Sequence, residues 1–68
     1  MTNAMTSNLT AAEAGALTDG LAETRDLALA DGSAAALQVA TSNNEQWLAL
    51  CAEGSARWGA DWMNARRL

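Results

Sequence analysis

The chain has no histidine, proline, phenylalanine, tyrosine or lysine, and one cysteine in 68 residues. Each absence removes a class of function. Without histidine there is no Ser–His or Cys–His nucleophile pair and no imidazole ligand for a metal. A single Cys51 closes no internal disulfide and, with no histidine, builds no zinc site. Gly15, Gly20 and Gly32 stand alone, so no glycine-rich loop is present to cradle phosphate. Asp31-Gly32-Ser33 has the beginning of a calcium loop, but the ligand positions that should follow are apolar. The acids are scattered, with nothing to pair them in a cleft. Catalytic, cofactor-binding and metal-binding residues are therefore expected to be none. Cys51 reads as a small buried hydrophobe.

Basic charge is also scarce. The formal net charge is −4, from eight acids and four arginines. Residues 1–56 hold seven acids against Arg25 alone, while Arg57, Arg66 and Arg67 gather at the end beside Asp61. An acidic chain lacks the footprint for nucleic acid, and cations near a helix C-terminus suit the helix dipole. The longest uninterrupted apolar run, Trp47–Ala52, is far below a membrane span. The first residues lack the basic start and apolar stretch of a signal peptide. A cytoplasmic location without a transmembrane segment is the expectation, and an unpaired cysteine agrees with a reducing compartment.

What remains is alanine, leucine and three tryptophans. Alanine and leucine are strong helix formers, and no proline interrupts them, so the class is all-α. Residues 1–9 read as a flexible N-terminal segment and residues 10–68 as one helical domain. Thr10-Ala11-Ala12-Glu13 is a capping box opening a helix over about residues 11–30. Its apolar stripe is weak: Leu17 and Leu21 share a face with Thr24 and Ala28. Asp31-Gly32-Ser33 supplies a left-handed stop and a new cap. At Ser42-Asn43-Asn44-Glu45, another capping box, either the chain turns or one helix runs through with a polar patch; the preferred reading is one long amphipathic helix over about residues 34–66, either straight or bent near Ser42. The whole is a helical hairpin of two or three helices. Nine leucines, three methionines, three tryptophans and one valine make a thin core for a monomer, so completion by oligomerisation is expected.

The second helix carries the functional information. At about 100° per residue, Trp47, Trp58 and Trp62 fall within about 60° of one another, with Cys51 among them and Gly54 leaving a notch between the indoles. Trp47, Cys51, Trp58 and Trp62 form the candidate interaction face, with Trp58 as its central anchor. Ala49, Ala52, Ala56 and Ala60 form a separate small-residue face suited to packing against another helix. Glu53, Arg57 and Asp61 run between the two, and Glu53–Arg57 has the favourable order of an i,i+4 ion pair. Tryptophans at helical spacing suit either a bundle core or an apolar boundary, where an indole keeps one end hydrated.

The segment WLALCAEGSARWGADWMNARRL, Trp47 to Leu68, preceded by Ala40 to Gln46, resembles a stretch of bacterial phasins. These are small helical proteins that coat polyhydroxyalkanoate storage granules. The resemblance covers about residues 33–68 and lies in alanine-rich, proline-poor helix with spaced aromatics. It implies a non-catalytic, granule-associated protein whose tryptophan face coats an apolar polyester surface. The alternative is a small helical adaptor or regulator that uses the same face to bind a protein partner or another copy of itself.

Overall fold

The structure is a computed structural model and describes residues 6–66. Two helices, α1 (Ala11–Asp31) and α2 (Ala34–Asn64), form an antiparallel hairpin, and no strand occurs among the described residues. The chain is all-α.

The helix ends form as their residue types require. The Thr10 hydroxyl accepts the Glu13 N–H at 3.1 Å, and the Glu13 carboxylate accepts the Thr10 N–H at 2.9 Å. These reciprocal bonds satisfy two backbone donors that the first turn leaves free. Gly32 takes the left-handed conformation at φ 75° and sends its N–H to the Ala28 carbonyl. Ser33 then caps α2 by accepting the Ala36 N–H at 3.2 Å.

The hairpin packs a bulky face onto a small one. The buried side of α1 is Ala14, Gly15, Thr18 and Ala22, whose short side chains let α2 come close. The buried side of α2 is Ala40, Leu50, Cys51 and Gly54. Leu17, on the stripe that the sequence offered for α1, stays about half exposed.

The helices differ in length, and this shapes the open end. Alpha-2 has 31 residues and α1 has 21. Counting outward from the Gly32–Ser33 turn, Ala11 comes opposite Gly54. Beyond that point α2 overhangs by ten residues, about 15 Å of helix with no α1 beside it. The chain does not leave this overhang straight. At Gly59 the backbone departs from the helix (φ 84°, ψ −171°), in a region essentially reserved for glycine. Residues 60–66 fold back as a short hook.

Of the readings open at Ser42, the continuous helix is the one observed: α2 runs helically through Ser42–Glu45, and its non-helical residue is Gly59. The helix expected over about residues 34–66 spans Ala34–Asn64, with the interruption at Gly59 rather than near Ser42. In the segment read as flexible over residues 1–9, residues 6–8 make a turn and Thr6 is almost completely buried. Residues 1–5, like Arg67 and Leu68, lie outside the described residues.

The molecule measures 35 × 30 × 15 Å. Two helices side by side make one layer, and among the described residues no third helix covers it.

Candidate functional site

Trp62 is the tryptophan that is buried, and the hook places it. Its indole lies over Gly54, on the spot that any Cβ there would occupy. The Trp62 Nε1–H donates to the Ala11 carbonyl at 3.0 Å, so the one polar atom of the ring is satisfied. Arg66 follows it back onto α1. Its guanidinium covers Gly15, stacks 4.5 Å from the Trp62 ring centroid, and reaches Asp19 at 3.4 Å. Its Nε–H donates to the Trp62 carbonyl at 3.0 Å. The notch at Gly54 thus exists, and the chain's own Trp62 fills it.

A second crossing comes from the N-terminal side. The Thr6 N–H and hydroxyl donate to the Glu53 carboxylate at 3.0 and 3.2 Å. Arg57 Nη1 donates to the Thr6 carbonyl. Glu53 and Arg57 were read as partners of each other; both side chains reach Thr6. The two terminal segments therefore each clasp the helix distant from them in sequence.

The other members of the expected interaction face are dispersed. Trp58 is half-buried, with its ring 5.5 Å from that of Trp62 at a 36° tilt and Arg57 4.8 Å above it. Within the chain it is Trp62 that holds the enclosed position, because the fold-back at Gly59 carries it off the straight stripe. Trp47 is half-buried farther along the hairpin, with Arg25 5.1 Å from its ring. Its indole N–H and the Asn43 side-chain N–H, one turn away, are enclosed without a hydrogen-bond partner among the described residues. Cys51 is buried between the helices, and burial pushes its thiol pKa up, which keeps it protonated and unreactive. Of this face, Cys51, Gly54 and Trp62 are buried within the chain, while Trp47 and Trp58 are half-buried. Ala49, Ala52, Ala56 and Ala60, expected to pack helix on helix, are all exposed.

What lies open is aliphatic. Leu17, Leu27, Leu29, Leu37, Val39 and Leu48 are the exposed large apolar residues, from 45% at Leu37 to 68% at Leu27. Most sit near the Gly32 turn. There an open groove of about 640 Å³ is lined by Leu29, Leu37 and Ala40, with Arg25, Asp26 and Asn44 beside them. Arg25 is held in place by Asp26 at 3.0 Å and by Asn44 at 3.1 Å. Leu37 and Leu48, eleven residues apart, lie about 20° apart around α2 and continue the groove along one flat face. Sequence reasoning missed this end because its leucines follow no helical stripe. Arg25, the lone cation of the first 56 residues, was the available signal.

Among the described residues no group of three or more potential metal ligands occurs, and no helix is long and apolar enough to cross a membrane. The geometry defines a helical hairpin one layer thick, with apolar side chains left outside. Comparison with protein-family models, curated proteins and solved structures gave no match.

Proposed function

We propose that this chain is a non-catalytic interaction module whose open, leucine-bearing face near the Gly32 turn is completed by another helical surface, in the first instance a second copy. One observation carries the reading. Among the described residues, more bulky aliphatic side chains lie outside the hairpin than inside it, and no third helix covers them. Domains normally bury such faces between packed layers, and exposed apolar patches on small proteins mark association sites. The oligomer expected from the sequence thus stays in the proposal, with a different surface.

A phasin-like role on a polyester granule would have to use the same leucines. The tryptophan face assigned to it contributes Cys51 and Trp62 to the inside of the fold. The absence of lysine favours an uncharged apolar surface over an anionic membrane, since interfacial helices usually carry a basic polar face.

Sedimentation at micromolar concentration tests the first reading. It should show a species heavier than 7.1 kDa, reduced to monomer by combining Leu37→Gln with Leu48→Gln. A parent chain that stays monomeric and fails to bind polyester-coated beads removes both readings. A monomer that binds the beads, and loses binding with the same pair of substitutions, replaces the helical partner with the granule surface.

A further inference from the structure

The hook and the notch it fills carry a separate consequence. Groups of the hairpin body receive the hook: Gly54, the Ala11 carbonyl, Gly15 and Asp19. The hook brings its own internal order, since Arg66 bonds the Trp62 carbonyl and stacks on its ring. Trp58, immediately before the hinge, also meets Trp62, with ring centroids 5.5 Å apart. The hinge is a single residue, Gly59, in a conformation that an L-residue avoids. On either side of it, Ala56-Arg57-Trp58 and Ala60-Asp61-Trp62-Met63 are competent to continue a helix.

We propose that residues 60–66 form an exchangeable hook, and that the notch formed by Gly54, Gly15, Ala11 and Asp19 is a docking site for the same hook of a second copy. With Gly59 in its left-handed conformation, the hook closes on its own chain. With position 59 helical, α2 runs straight past the first residue of α1, and Trp62 comes about 40° from Trp58 with no α1 opposite it. The empty notch and the projecting hook of one chain are then complementary to those of another. Reciprocal exchange gives a closed two-fold dimer, the usual outcome when an identical element is swapped between protomers. This exchange does not use the leucine face, so either association can occur without the other.

Chemical synthesis of a chain this short permits a test by handedness. Two variants replace Gly59, one with L-alanine (Gly59→Ala) and one with D-alanine. Both add the same methyl group. The D-residue favours the observed φ and ψ, whereas the L-residue favours continued helix. The L-alanine chain should double its sedimentation mass relative to the parent, and the D-alanine chain should match the parent. Adding Trp62→Ala to the L-alanine chain should return it to the parent mass, because the notch then receives no indole. Equal masses for the L- and D-alanine chains overturn the proposal. So does a doubled mass that survives Trp62→Ala, and so does loss of helix in the L-alanine chain by circular dichroism. Combining Leu37→Gln and Leu48→Gln with the L-alanine substitution separates this contact from leucine-face association: the exchanged dimer should persist.

Discussion

The open end of the hairpin and the end at the Gly32 turn are built on different principles. At the open end, chain segments far apart in sequence lock one another. Thr6 meets Glu53 and Arg57, Trp62 meets Ala11 and Gly54, and Arg66 meets Asp19. Leu50, Cys51 and Trp62, the bulkiest of the buried apolar residues, lie in that half. At the turn end, local capping holds the backbone, Ala40 is the buried residue of α2, and Leu27, Leu29, Leu37 and Val39 face outward. Stability and surface are thus separated along one 35 Å molecule: one end closes the fold and the other offers apolar side chains.

Trp62→Ala is the strongest way to break that division. It removes the indole that fills the Gly54 notch, and truncating a buried tryptophan costs about 3–5 kcal/mol. Small domains have only about 5–15 kcal/mol in total, and a 68-residue chain belongs at the low end. The variant should lose most of its cooperative thermal transition by circular dichroism. Trp58→Ala, at a half-buried ring, should retain a clear transition. Equal losses from the two would mean that the open end is not organised around Trp62.

Arg66→Ala should follow with a smaller effect. Its guanidinium is nine-tenths buried, stacks on Trp62 and lies 3.4 Å from Asp19. Losing the stacking and covered stem should cost about 1–2 kcal/mol, read as a lower urea midpoint. Arg25→Ala, at the turn end, removes a stacked arginine that covers Trp47 and bonds Asp26 and Asn44, all within the two helices. It should cost less, and a larger loss at Arg25 would reverse the comparison.

Two glycines of α1 sharpen it further. Gly20 faces open space, while a Cβ on Gly15 would collide with the Arg66 guanidinium. Gly20→Ala should stabilise by up to about 1 kcal/mol through helix propensity alone. Gly15→Ala gains the same propensity but must displace Arg66, so its melting temperature should stay at or below that of the parent. A stabilised Gly15→Ala chain would show that the Arg66 contact contributes nothing.

Local features of this fold were readable in the sequence, and its long-range features were not. Thr10, Glu13, Gly32 and Ser33 act through neighbours within four residues, so their residue types define their roles. The periodicity of Trp47, Cys51 and Gly54 marked a real apolar face and a real notch. It could not say that α1 would cover that face with alanine, glycine and threonine. The break at Gly59 depends on α1 being ten residues shorter than α2, which leaves the overhang without a neighbour; an isolated glycine in a helical pattern does not reveal this. Ser42-x-x-Glu45 matched a capping box, but capping needs an extended residue at the cap, and α2 is already helical there. Thr6 was missed because its carboxylate partner lies 47 positions away.

The smallest effect belongs to Glu13, and its sign is fixed by the capping box. Hydrogen bonds from the Thr10 backbone and hydroxyl lower the Glu13 pKa in the folded chain, with desolvation opposing weakly. A folded pKa below the unfolded value means that the carboxylate contributes stability above the unfolded pKa of about 4.3. That contribution is lost as pH falls through the lower folded pKa. Glu13→Gln keeps a carbonyl able to accept the Thr10 N–H but does not titrate. At neutral pH the parent should therefore melt slightly above Glu13→Gln, and the gap should close as the solution is acidified through the carboxylate range. At the turn end, Asp31 accepts the Ser33 hydroxyl at 2.7 Å, so Asp31→Asn provides a cap-adjacent control from the other side of the comparison. A gap between parent and Glu13→Gln that stays constant down to strongly acid pH would show that the Glu13 charge takes no part in holding the first turn of α1.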